Sequence, residues 1–88
     1  MGYSLRLTSR FDKNFRRLTK KDPILRERVY RKIDDLLENP EIGEKLSHNL
    51  AGLCSVHVGN WVVIYLVEGD ELILLNFDHH DYAYFRPL

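Results

Sequence analysis

The sequence predicts an α+β domain of order βααβββ: a twisted, mainly antiparallel sheet of about four strands with a helical hairpin packed on one face. Three observations lead there. Apolar residues recur at helical spacing in two consecutive segments, Phe11-Phe15-Leu18 and Leu25-Val29-Ile33-Leu36-Leu37, separated by Asp22-Pro23. A strand-like alternation precedes them at Tyr3, Leu5 and Leu7. Apolar, β-branched runs follow, parted by Gly59-Asn60 and by Glu68-Gly69-Asp70-Glu71. Both helices then bury their stripes against one sheet face, and residues 1–88 are expected to form a single domain.

In chain order, Tyr3, Leu5 and Leu7 point one way and Ser4, Arg6 and Thr8 the other, the period of a half-buried strand. Ser9 is expected to cap the first helix, with Asp12 three residues on, and the helix to run to Lys21. Arg10, Lys13, Arg16, Arg17 and Lys20 give it a cationic face. Asp22 can accept from the free N–H groups of a second helix, and Pro23 suits its first position. Asn39-Pro40 stops that helix. Residues 41–50 show no period and read as loop. Gly59-Asn60 reads as a two-residue hairpin turn. Val58 then lies opposite Trp61, and His57 opposite Val62. In that register Cys54, Val56, Val58, Trp61, Val63 and Tyr65 share the face under the helices, while Ser55, His57, Val62 and Ile64 share an uncovered one. The last run, 72–77, is apolar on consecutive positions and reads as an interior strand.

A chain of 88 residues buries about 60–65% of its unfolded surface, so the core is modest. Formal net charge is zero but unevenly placed: residues 1–37 hold eleven Lys/Arg against five Asp/Glu, and residues 38–88 hold two against eight. That asymmetry points to an anionic partner for the first half, or to solvated basic helix faces. The single cysteine, Cys54, excludes an intramolecular disulfide and falls on the core face. No signal-like leader opens the sequence, and the apolar run 61–67 is too short to span a bilayer, so a cytoplasmic protein is expected. Four histidines and a cysteine invite a zinc site, yet no C-x-x-C or H-x-x-x-H spacing occurs, and adjacent strand residues such as His79 and His80 point to opposite faces. No metal and no cofactor are expected.

Four segments in this order resemble the RelE/ParE superfamily of toxins from toxin–antitoxin pairs. YSLRLTSRFDKNFRRL is similar to its opening strand and helix, and KIDDLLENP to its second helix. LAGLCSVHVGNWVVIYLV is similar to its central hairpin, and FDHHDYAYF to its closing segment. The resemblance implies a RelE-like fold, an antitoxin partner, and one of two activities on that shared fold: metal-independent cleavage of messenger RNA at the ribosome, or non-enzymatic inhibition of DNA gyrase. An inactive module that keeps only antitoxin affinity is the third reading. Where the family often carries arginine, this chain has His57, Val62 and His80. Histidine in those places is closer to the YafQ-like branch, whose late histidine is followed four residues on by an aromatic residue, as His80 is by Tyr84.

RNA cleavage through the 2′-hydroxyl needs a base, an acid, and donors for the charged transition state. On the resemblance, His80 is the first choice for acid or base. His57 would bind phosphate or make the complementary proton transfer, and Tyr84 would stack on a base or donate to a phosphate oxygen. Lys45 and His48, on the irregular loop, would contact phosphates. Arg16 and Arg17 would meet RNA or, with Arg28 and Arg31, an acidic antitoxin segment. His79, Tyr82 and Phe85 read as packing or rim. Each has a plainer reading: surface histidine, solvated loop, or core packing of the chain end.

Overall fold

The computed structural model describes residues 2–84, so Phe85 lies outside the described residues. Helix α1 spans Ser9–Thr19 and α2 spans Pro23–Glu38. The cap of α1 is Thr8 rather than Ser9: its hydroxyl oxygen accepts from Phe11 N at 3.2 Å while its hydrogen donates to Leu74 O at 2.9 Å. Threonine prevails because the strand behind it supplies that second partner. Asp22 caps α2 through Leu25 N at 3.0 Å, with Pro23 in the first turn. Both helices end a residue or two before their expected limits, at Thr19 and Glu38.

The strands are β1 (Ser4–Leu7), β2 (Glu44–Lys45), β3 (Cys54–Val58), β4 (Trp61–Glu68) and β5 (Glu71–His79), in the sheet order β1-β5-β4-β3-β2. Only β1 and β5 pair in parallel. The sheet has five strands rather than four because β2 forms inside the segment read as loop. Two residues are too few for alternation to register. A 3-10 turn flanks β2 on each side, at Pro40–Ile42 and at His48–Leu50. Residue β5 Leu75 has no cross-strand partner: Ile64 pairs with Asn76 and Tyr65 with Leu74, a bulge.

The hairpin register is the expected one. Val58 faces Trp61 and His57 faces Val62. Phe11, Phe15, Leu25, Val29, Ile33 and Leu36 pack onto Val56, Val58, Val63, Tyr65, Leu72, Leu74 and Phe77, with Cys54 and Trp61 at the margin. Each fully buried side chain of this kind contributes about 1.5–3 kcal/mol. Two expectations are corrected. Strand β1 is exposed throughout, with Leu5 at 44% and Leu7 at 46%, because it is the sheet edge beyond the helices. Its leucines instead border an open groove with Phe11, Phe15, Tyr30 and Leu37. The second face is also not bare: a short helix α3, His80–Ala83, lays Ala83 and Tyr84 against Val62 and Ile64.

Tyr65 ties the helix face of the sheet to the first 3-10 turn. Its hydroxyl donates to Pro40 O at 2.5 Å, and burial, then the neighbouring Cys54, pushes its pKa up to about 12. Gly43 is required beside it, since a Cβ there would collide with the Tyr65 hydroxyl and stand 2.8 Å from Ser55 O. Gly43→Ala is expected to cost about 1–3 kcal/mol by overpacking. Tyr65→Phe should cost about 1–2 kcal/mol because it leaves the Pro40 carbonyl without its donor. Urea titration measures both. The folded state holds the phenol neutral, whereas an unfolded tyrosine ionises near pH 10. Stability linked to Tyr65 is therefore complete below pH about 10 and is lost as pH rises toward about 12, a dependence that Tyr65→Phe should remove.

Candidate active site

The site is built where β5 ends. His79 pairs with Trp61 as the last residue of β5 and also caps α3, its Nδ1 accepting from Asp81 N at 3.2 Å. The backbone turns there, and His80 N donates to Asn60 O at 2.7 Å. The histidines thus part company at a helix start rather than along a strand. His79 packs edge-on against Trp61, with centroids 5.4 Å apart, whereas His80 faces His57, with centroids 5.9 Å apart. Tyr84 meets His80 edge-on at 6.3 Å and donates its hydroxyl hydrogen to Ser55 Oγ at 3.2 Å. His57, distant in sequence, therefore shares one surface of the sheet with His80 and Tyr84.

That surface is open. His57 is exposed and the His80 side chain is 58% exposed, so both rings are accessible to a substrate. His80 Nδ1 lies 3.5 Å from Asp81 Oδ1, which leaves its Nε2 as the nitrogen available to a ligand. The other Asp81 oxygen lies 3.5 Å from His79 Nδ1. Such an arrangement can exchange protons at two imidazoles and offer a phenol beside them. Among the described residues, no group of three or more His, Cys, Asp or Glu side chains is placed to hold a metal ion.

The remaining candidates stand apart from this pair. Arg16 is on α1, on the helix side of the sheet, bound to Asp12 at 2.9 Å, an interaction that raises its pKa. Arg17 donates to Asn14 Oδ1 at 3.3 Å on the same helix. Lys45 pairs with Cys54, and cross-strand partners share a face, so it belongs to the helix side. His48 is exposed and opens the second 3-10 turn with φ +57°, a region few non-glycine residues adopt. Sequence reasoning missed Ser55 and Asp81. Ser55 is buried and seats the Tyr84 hydroxyl; its only signal was its place two residues before His57 on the same face.

The ParE toxin model, for toxins of type II toxin–antitoxin systems (parDE), matches residues 5–84. The chain belongs to this toxin family. An uncharacterized protein of Methanosarcina mazei is 32% identical over 85 residues, covering 93% of this chain and 99% of the relative. A chain of the toxin–antitoxin complex RelBE2 from Mycobacterium tuberculosis superposes with a TM-score of 0.79 at 24% identity, over 90% of this chain and 99% of that one. A free mutant of the Escherichia coli toxin RelE gives 0.75 at 18% identity, over 94% and 88%. These two likenesses show a RelE-like fold. In this toxin no helix of the described residues is long and apolar enough to cross a membrane.

The toxin's site depends on α3 staying seated. Ala83→Glu would press a carboxylate against Val62 and Ile64. The expected result is loss of hydrogen-exchange protection at the His80 amide, with cooperative unfolding of the helix-face core retained. Unchanged protection at that amide would show that α3 is held by something other than this contact.

Proposed function

We propose that this toxin is an endoribonuclease that cuts messenger RNA at the ribosome without a metal. The observation that supports it is the meeting of His57 and His80 on an open sheet face, 5.9 Å apart, beside Tyr84. In this reading one imidazole takes the proton of a 2′-hydroxyl as its oxygen attacks the adjacent phosphorus. The other gives a proton to the 5′-oxygen as the P–O5′ bond breaks. The products are a 2′,3′-cyclic phosphate and a free 5′-hydroxyl. His80, with its Nδ1 turned to Asp81, acts through Nε2. Tyr84 packs against a splayed base or donates to a phosphate oxygen. No group is asked for a cofactor.

The partner we propose is an antitoxin segment. The M. tuberculosis and Staphylococcus aureus structures similar to this chain include toxin–antitoxin complexes. Here the groove bordered by Leu5, Leu7 and Tyr30 carries Arg16, Lys20 and Arg26 around it, alongside Asp12 and Asp34. Apolar contact would supply most of the affinity, and the cations would steer an acidic peptide. A second reading, inhibition of DNA gyrase, is favoured by the family match itself, which is to ParE toxins, and by the missing arginines at His57, Val62 and His80.

Cleavage of a defined messenger on ribosomes tests the first reading. His80→Ala should lose about 10²–10⁴-fold in rate while remaining folded by circular dichroism, and His57→Ala and Tyr84→Phe should lose less. Because one imidazole must be neutral and the other protonated, the rate should pass through a maximum with pH and fall on both sides. Added chelator should change nothing. A folded His80→Ala protein that cuts as fast as the parent removes His80 from the mechanism. A parent that leaves RNA intact but blocks supercoiling by gyrase moves the toxin to the second reading. Size exclusion after co-expression with a neighbouring gene product should give a complex, and Leu7→Asp should weaken it.

A further inference from the structure

Resting on the ribonuclease reading, we propose that Arg28, on α2, binds an RNA phosphate flanking the one attacked, and so supplies the permanent positive charge that the histidine pair lacks. Arg28 lies on an exposed position between the buried Leu25 and Val29. Its guanidinium rests against the β3–β4 turn: a Cβ on Gly59 would stand 3.3 and 3.4 Å from its two terminal nitrogens. Gly59 has φ +61°, so the turn favours glycine and no side chain stands between the guanidinium and the backbone.

That same turn belongs to the histidine site. Gly59 follows His57 by two residues, about 7 Å of strand. Asn60 O holds His80 N at 2.7 Å. Arg28 and the imidazole pair therefore flank one end of the sheet, from its two faces. A single strand of RNA whose scissile phosphate sits at His57 and His80 needs to cross only this turn to present a neighbouring phosphate to Arg28.

Among the described residues Arg28 is also uncommitted. Arg6 pairs with Glu71, Arg16 with Asp12, Arg17 with Asn14, and Arg26 with the carbonyl of Thr19. Arg28 makes no hydrogen bond or ion pair among the described residues. Arg31 joins it in a shallow depression with Pro23, Ile24 and Glu27, so that two cations face one carboxylate. An arginine stays charged at every working pH and can grip a phosphate with two parallel N–H donors. Histidines that shuttle protons spend part of each cycle neutral. The division of labour is chemical: proton transfer by imidazole on one side of the turn, charge neutralisation by guanidinium on the other.

The test compares kcat and KM for a defined messenger on ribosomes over a salt series, for the parent, Arg28→Ala, Arg28→Lys and Arg6→Ala. Arg28→Ala should raise KM roughly 3–10-fold, the effect of an exposed charge-assisted contact, with kcat within about twofold. The slope of log(1/KM) against log salt should fall by about 0.7, the value for one phosphate contact on a single strand. Arg28→Lys should restore the slope and part of the KM. Arg6→Ala, which removes a cation from the far edge strand, should change neither. An Arg28→Ala protein with parental KM and slope overturns the proposal while leaving the ribonuclease reading intact. So does one that loses kcat and ellipticity together without rescue by lysine, which would make Arg28 structural. A parent that cuts no RNA overturns the ribonuclease reading and this inference with it.

Discussion

The turn at Gly59-Asn60 sets the pairing of β3 with β4, and nearly everything else follows from that register. With Val58 opposite Trp61, the side chains of Val56, Val58, Val63 and Tyr65 enter the core beneath the two helices. Ser55, His57, Val62 and Ile64 are left for the other face. A slip of β3 by one residue would turn His57 into the core and Val56 and Val58 out of it. The penalty for that exchange is the loss of those apolar burials at about 1.5–3 kcal/mol each, so the core holds the site in place. The turn then acts a second time, as Asn60 O receives the amide of His80 and fixes where the chain end crosses the sheet.

A chain of 88 residues has little interior to spare, and the toxin uses both faces of its sheet. The helix face carries the larger cluster. The opposite face is closed by four residues of helix, with Ala83 filling the space over Val62 and Ile64. The small side chain lets α3 lie close, and its closeness brings Tyr84 to Ser55 and His80 to His57. The packing contact and the candidate site are thus one feature seen from two sides. Thr8 shows a similar economy at the other end of β5: one hydroxyl caps α1 and satisfies the carbonyl of Leu74 beside the bulge.

The placement of charge follows the fold. The basic residues of α1 and α2 lie on the helix side, where an open groove meets the unpaired edge of β1. His57 and His80 occupy the opposite face; of the two β2 residues, Lys45 falls to the helix side and Glu44, opposite Ser55, to theirs. Our readings of the antitoxin surface and of the RNA surface are therefore spatially separate, except at the Gly59 turn. There Arg28 reaches from one side to the border of the other.

The helices, the hairpin and its register were legible in the amino-acid sequence, because each rests on short-range rules. Apolar spacing marks α1 and α2, Asp22-Pro23 starts the second helix, and Gly59-Asn60 counts off the two faces of the hairpin. The orientation of His57 away from the helices followed from that count. The family resemblance, carried by four segments in order, supplied the roles proposed for His57, His80 and Tyr84. Tertiary structure decided the rest. The pairing of β2 depends on a neighbour that no local pattern announces. The exposure of Leu5 and Leu7 depends on β1 being the edge strand, and alternation within a strand says nothing of its place in the sheet. The helix at His80–Ala83 is too short to show a period and exists because Ala83 finds a surface to cover. Ser55 and Arg28 meet the site only through contacts about 30 residues away in sequence, to Tyr84 and Gly59, and spacing along a chain does not encode which distant side chains will share a turn.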